Sequence, residues 1–240
     1  MKPVRLAINV DHVATVRNAR GTPYPDPAHL AVLALNAGAD GIVAHLREDR
    51  RHINERDVEM LRALAPHFGF EFALEPGIVA FAEAVRPDLA MLVPERREEI
   101  TTESGIDVLA NSDAITVVSD RLQELGIPVS LFIDPIDEQL EAAAKTGAQY
   151  VELHTGPYAE ATHEGDVARE LERLRFAARR AAGLGLRVNA GHGLTTQNVG
   201  PIAAIPEVEE LSIGHAIISR ALSLGMEGAV CEMLDAMRGS

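Results

Sequence analysis

Residues 9 to 27 read NVDHVATVRNARGTPYPDP and follow directly on the apolar run VRLAI. An amide, an acid, an imidazole and two arginines therefore gather at the end of a strand-like segment. A solvated loop accounts for some of them. It accounts less well for Asp11 beside His12, with Arg17 and Arg20 close behind. Imidazoles and carboxyls move protons, and arginines with backbone amides in a cleft hold anions even where the average surface charge is negative.

Stepping outward from these residues, one organisation recurs along the chain: short β-branched apolar runs separated by longer stretches with helical spacing. The runs are LAINV (6–10), GIVAHL (41–46), FEFAL (70–74), LAMLVP (89–94), PVSLFID (128–134), YVELHTG (150–156), RVNAGHG (187–193) and ELSIGHAI (210–217). Between them, residues 26–40, 54–68, 137–149, 165–185 and 216–237 read as amphipathic helices. Several end in AGAD, LGI, TGAQ or LGL, where glycine stops a helix and turns the chain into the next strand. Strands alternating with helices demand right-handed crossovers and a parallel sheet. About eight such units in a chain of this length predict an α/β fold, a single-domain (β/α)8 TIM barrel. An open doubly wound sheet is the competitor, but no G-x-G-x-x-G follows the first strand. The longest break in the rhythm, Glu95 to Ile127, is expected to carry a mobile loop, PERREEITTESG, ahead of its helix, with residues 95–104 covering the site.

A barrel gathers chemistry where its strands end. Those ends supply Asn9, Asp11 and His12; His45 and Arg47; Glu71; Glu95; Asp134; Glu152 and His154; Asn189 and His192; and His215. Alternation can point Glu71 and Glu152 into the interior, where a carboxyl holds its proton more tightly unless it is paired with a cation. The last two strands end in NAGHGLT and SIGHAII, each a glycine-histidine step before a helical pattern. In these two loops such steps predict a phosphate cradle at Gly193, Gly214 and His215.

The formal net charge of −14 argues against nucleic-acid binding, which needs clustered Lys and Arg. Aromatic content of 4% without tryptophan leaves no stacking platform. No stretch has the length of a membrane span or the look of a signal peptide, so a cytoplasmic protein with no membrane partner is expected. The single cysteine, Cys231, rules out an internal disulfide and is expected to pack in the core of the last helix.

The segments NVDHVATVRNARGT, HLREDRRHI, LVPERREEITTE, VSLFID, ELHTG, VNAGHGLT and IGHAII resemble, in order and over almost the whole chain, those of the pyridoxine 5'-phosphate synthase family. The segment around Glu71, FEFALEPGIVA, matches at the glutamate but more loosely after it. The resemblance implies a condensation of 1-deoxy-D-xylulose 5-phosphate with 3-amino-2-oxopropyl phosphate to pyridoxine 5'-phosphate, phosphate and water, with no cofactor and no metal. It implies that His45, Glu71 and His192 act as acid-base residues, with Glu152 stabilising cationic or proton-transfer states. By the same match Asn9, Arg20, Gly193, Gly214 and His215 would hold the aminoketone phosphate, and Asp11, His12, Arg47, His52 and Thr101 the deoxyxylulose phosphate. The family also implies a homo-octamer assembled from dimers.

Two other classes stand beside this one. Another phosphosugar-handling barrel enzyme would share the cradle but would need a Schiff-base lysine or a metal. The only lysines are Lys2 and Lys145, and no H-x-H or H-E-x-x-H spacing occurs. A non-catalytic barrel that binds a phosphometabolite would not need His45 and Glu71 together.

Overall fold

A computed structural model describes residues 3–95 and 104–239. Strand β1 (Arg5–Asn9) leads into helices α1 (Asp11–Asn18) and α2 (Pro27–Asn36), β2 (Gly41–His45) into α3 (Glu55–Leu64), and β3 (Phe68–Phe72) into α4 (Pro76–Val85). β4 (Leu89–Leu92) precedes α5 (Val108–Glu124), and β5 (Val129–Ile133) precedes α6 (Asp137–Ala143). β6 (Tyr150–His154) is followed by α7 (Gly156–Glu160) and α8 (Glu164–Gly183), β7 (Arg187–Gly191) by α9 (Val199–Ala203), and β8 (Val208–Ile213) by α10 (His215–Arg238). The strands pair in chain order, all parallel, and β8 closes on β1. The expected barrel is the observed one.

Period-2 alternation sorts the side chains. On β2, Ile42 and Ala44 join the large core between barrel and helices, whereas Val43 packs in a separate small cluster with Ala7, Leu89 and Met91 inside the barrel. On β3, Phe68, Phe70 and Phe72 face the helices, which leaves Glu71 between them directed to the interior. The interior is only partly apolar. Ser130, Glu152, Asn189 and Glu210 are buried on β5 to β8, and Glu152, Asn189 and Glu210 are register neighbours in turn.

Local signals start several helices. Asp26 accepts the Ala28 N–H with Pro27 at the first helical position, and Asn54 and Asp57 form a reciprocal capping box on α3. Glu75 caps α4 by accepting the Ile78 N–H, with Pro76 at the first helical position, which defines the loosely matching turn beyond Glu71.

Four differences from the sequence reading have physical causes. The polar stretch after β1 is a helix over residues 11–18, because Asp11, Val13, Ala14 and Arg17 form one buried stripe whose apolar period is interrupted by charge. β3 begins at Phe68 and β8 at Val208, each two residues earlier than expected, since the parallel partners on β2 and β7 extend that far. Cys231 is exposed rather than packed in the core, because α10 buries Ala229, Val230 and Met233 on its other face. Finally, Gly193 does not open a helix, whereas Gly214 directly precedes α10.

Arg17, one of the charged residues after β1, has a structural role. It donates two hydrogen bonds of 2.7 Å to Asp57 on α3, and a third, of 3.1 Å, to the His52 carbonyl. Asn18 donates to the carbonyls of Arg51 and His52. The β2–α3 loop is thereby fastened to α1. Arg17 is 7% exposed and Asp57 0%, so removing Arg17 leaves the buried carboxylate with only the exposed Arg56 guanidinium, 3.4 Å away, as a cation. Arg17→Ala should lower the unfolding free energy by about 3–5 kcal/mol, read from urea melting.

Candidate active site

The strand ends surround one cavity of about 560 Å³. Its wall includes Asn9, Asp11, His12, His45, Arg47, His52, Glu71, Glu152, His192, Gly193, Gly214 and His215. Twelve residues proposed from scattered segments thus meet in one place. Arg20 does not join them: it is exposed beyond the last turn of α1. Thr101 lies outside the described residues, as does most of the segment expected to cover the site, residues 96–103. The cavity also takes Thr15, Arg51, Val93, Phe132 and Ser212, which the sequence reading missed. Ser212 and Phe132 carry a usable signal, since both lie on strands at alternating positions, Ser212 with Glu210 and Phe132 with Ser130.

Asp11 organises the mouth. Its Oδ1 accepts the His45 backbone N–H at 2.8 Å, its Oδ2 accepts the Asn9 side-chain amide at 3.0 Å, and its own N–H donates to Asn9 Oδ1 at 2.9 Å. This fixes β1 against the end of β2. His45 in turn pairs in register with Glu71 across β2 and β3.

The two partners hold protons in opposite senses. Burial, then the cationic surroundings of His52 and Arg47, push His45 down to about 3, so its imidazole is neutral. Burial, then the charges of Asp11 and Glu152, push Glu71 well above 4.5, against a small opposing effect of Asn9. Glu71 keeps some surface open to the cavity, yet the cavity is enclosed by the barrel and leaves its charge poorly solvated. A neutral base and a protonated acid thus sit side by side. Glu95 approaches His45 Nε2 at 3.9 Å and Arg47 Nε at 3.8 Å. With His45 neutral the first contact is not an ion pair.

Glu152 is 3% exposed and is raised to about 8 by burial and by Glu210. His192 is lowered to about 4 by burial, then by His154 and His12. Its backbone lies in the left-handed region at φ 83, followed by Gly193 at φ 76. Thr155 Oγ1 donates to its carbonyl at 2.5 Å, which pins this turn. His12, lowered mainly by burial, meets His215 edge-on with ring centroids 4.9 Å apart.

Beside this cluster, residues 192–195 and 212–216 line a recess of about 70 Å³ at the start of α10. Gly214 packs closely there: a Cβ would lie 3.0 Å from Asn9 Cβ and 3.1 Å from its carbonyl oxygen. A helix N-terminus with such backbone access suits an anion. One ligand atom each of Asp11, His45 and Glu71 also lies within 4.8 Å of the others, a spacing that could hold a cation. Both Asp11 oxygens already accept hydrogen bonds, and the Glu71 proton neutralises the same carboxyl pair.

Fold and site together define a (β/α)8 barrel with a buried acid-base cavity at the C-terminal ends of its strands. Solved structures share the fold at low identity. The tryptophan synthase A-subunit of Pyrococcus furiosus aligns over 99% of this chain and 98% of its own with a TM-score of 0.63 and 14% identity. Phosphoribosyl anthranilate isomerase of Thermus thermophilus aligns over 98% and 99% with a TM-score of 0.62 and 17% identity. The family model described as "Pyridoxal phosphate biosynthesis protein PdxJ" matches residues 6–239. Proteins named pyridoxine 5'-phosphate synthase are 55% identical in Gloeothece citriformis, over 98% of both chains, and 57% identical in Synechocystis sp. (strain ATCC 27184 / PCC 6803 / Kazusa), again over 98% of both. The chain belongs to this family.

Two outcomes test the site without substrate. The folded chain keeps the Glu152 proton that the unfolded chain releases, so this residue costs stability as pH rises from 4.5 to about 8. The melting temperature of Glu152→Gln relative to the native protein should therefore climb through that window and level off above it. Inorganic phosphate should bind by calorimetry, and Gly214→Ala, whose methyl group presses against Asn9 beside the recess, should weaken that binding.

Proposed function

We propose that His45, Glu71 and His192 are the proton-transferring groups of a ring-closing condensation, with Glu152 stabilising its cationic states. The family makes the chain an enzyme of vitamin B6 biosynthesis, a producer of pyridoxine 5'-phosphate. The substrates are 1-deoxy-D-xylulose 5-phosphate and 3-amino-2-oxopropyl phosphate, and the co-products are phosphate and water. The substrate amine attacks a ketone to form a Schiff base, water and phosphate leave, and a carbon–carbon bond closes the ring. Each step moves protons.

The observation that carries this reading is the register pair His45 and Glu71, one neutral imidazole beside one carboxyl that keeps its proton. His45 can take a proton while Glu71 can give one, with no group recharged beforehand. His192 faces them across the cavity. Gly193, Gly214 and His215 line the recess, with Asn9 packed against Gly214, and this set suits the aminoketone phosphate; Arg20 joins it only by its family match. Asp11, His12, Arg47 and His52, with Thr101, are assigned to the deoxyxylulose phosphate. No cofactor is invoked, since acids, bases and anion donors supply the chemistry. A homo-octamer built from dimers and a cytoplasmic location belong to the same reading, as does the absence of nucleic-acid and membrane partners. Among the described residues no helix is long and apolar enough to cross a membrane.

Purified protein incubated with both substrates and a chelator should release pyridoxine 5'-phosphate and one phosphate. Turnover that stops with the chelator would put a metal in the reaction. Glu71→Gln should lower kcat by about 10²–10⁴-fold, the range of a general acid or base, while calorimetry still detects bound substrate. Replacing Arg47 should raise KM for the deoxyxylulose substrate more than for the aminoketone in steady-state assays.

A further inference from the structure

Behind the cavity wall, three successive strand ends carry Asp134, His154 and His192. His154 Nδ1 lies 2.9 Å from Asp134 Oδ1, and its ring meets His192 edge-on, with centroids 5.1 Å apart and planes at 64°. Phe132 packs against both rings, at 5.1 Å and 6.3 Å. Neither Asp134 nor His154 lines the cavity.

We infer that His154, oriented by Asp134, is a positioning residue for His192. Among the described residues the His192 ring makes no hydrogen bond to protein; its carbonyl is pinned by Thr155, so packing sets the plane of the imidazole. A proton donor with a loose ring would leave reach of its substrate. His154 can fix that plane because it is itself held on three sides. Asp134, whose carboxyl is kept ionised chiefly by this hydrogen bond, accepts from Nδ1 and so places the proton on that nitrogen. Phe132 covers one face. Gly156 lies against the far edge, where a Cβ would come 2.4 Å from His154 Nε2. The glycine is therefore part of the seat.

This inference rests on the assignment of His192 as a proton-transferring group, and the test keeps the two apart. Asp134→Asn and His154→Ala should lower kcat by up to about a hundredfold, the effect of a small misplacement of a reacting group, with KM for both substrates unchanged. His154→Phe keeps a ring against His192 and should recover part of the loss. In the resting protein, NMR with ¹⁵N-labelled histidine should show His154 protonated at Nδ1 and a single His192 signal, which multiplies in Asp134→Asn. Unchanged kcat in folded Asp134→Asn, or a KM rise that accounts for the whole loss, overturns the inference. If His154→Ala does not fold, the near-isosteric Asp134→Asn decides. Native protein that fails to turn over the two substrates refutes the assigned reaction instead, and the NMR comparison still decides whether Asp134 controls the His192 ring.

Discussion

A single fixed charge, Asp11, sets the terms for the cavity. Its two oxygens are committed to the His45 backbone and the Asn9 amide, so its position does not depend on any ligand. Burial first, and then the nearby Asp11 charge, disfavour a second carboxylate, and the Glu71 carboxyl is held well above its usual range. The same enclosure disfavours a charged imidazole, and His45 stays neutral. Acid and base are thus separated by environment, although both lie in one poorly solvated space.

The scaffold answers to that demand. Asp11 stands in the first turn of α1, whose far end is bound to α3 by the buried Arg17–Asp57 pair and whose Asn18 holds the carbonyls of Arg51 and His52. One short helix therefore fixes both the central charge and the loop that carries Arg47 and His52. Glu152, in the polar half of the interior with Ser130, Asn189 and Glu210, is likewise raised, by burial first and then by Glu210. Carboxyls without adjacent cations are costly in a protein interior, and such a cost persists where it serves chemistry.

On the other side of the cavity, backbone conformation matters more than charge. His192 and Gly193 are both left-handed, and the resulting turn is secured by Thr155 rather than by a helix. Gly214 lets the start of α10 close up on Asn9. The recess between them is formed beyond β7 and at the end of β8, and it shares His192, Gly193, Ser212, Gly214 and His215 with the larger cavity.

Much of this was legible in the amino-acid order. Alternating apolar runs and glycine-ended helical stretches specify a parallel barrel, because strand and helix periods are local properties of the chain. Polar residues at strand ends likewise mark His45, Glu71, Glu152 and His192, since barrel connectivity alone brings those ends to one face. Tertiary structure decided what local pattern cannot express. Arg17 lies only three residues before Arg20, yet one is buried against Asp57 and the other is exposed, because the difference depends on a helix forty residues away. The α1 stripe was hidden for the same reason, as its buried arginine reads as polar until its partner is known. Protonation also lies beyond the sequence: Glu71 reads as an ordinary carboxyl, and only its burial and its closeness to Asp11 and Glu152 in the folded chain raise its pKa.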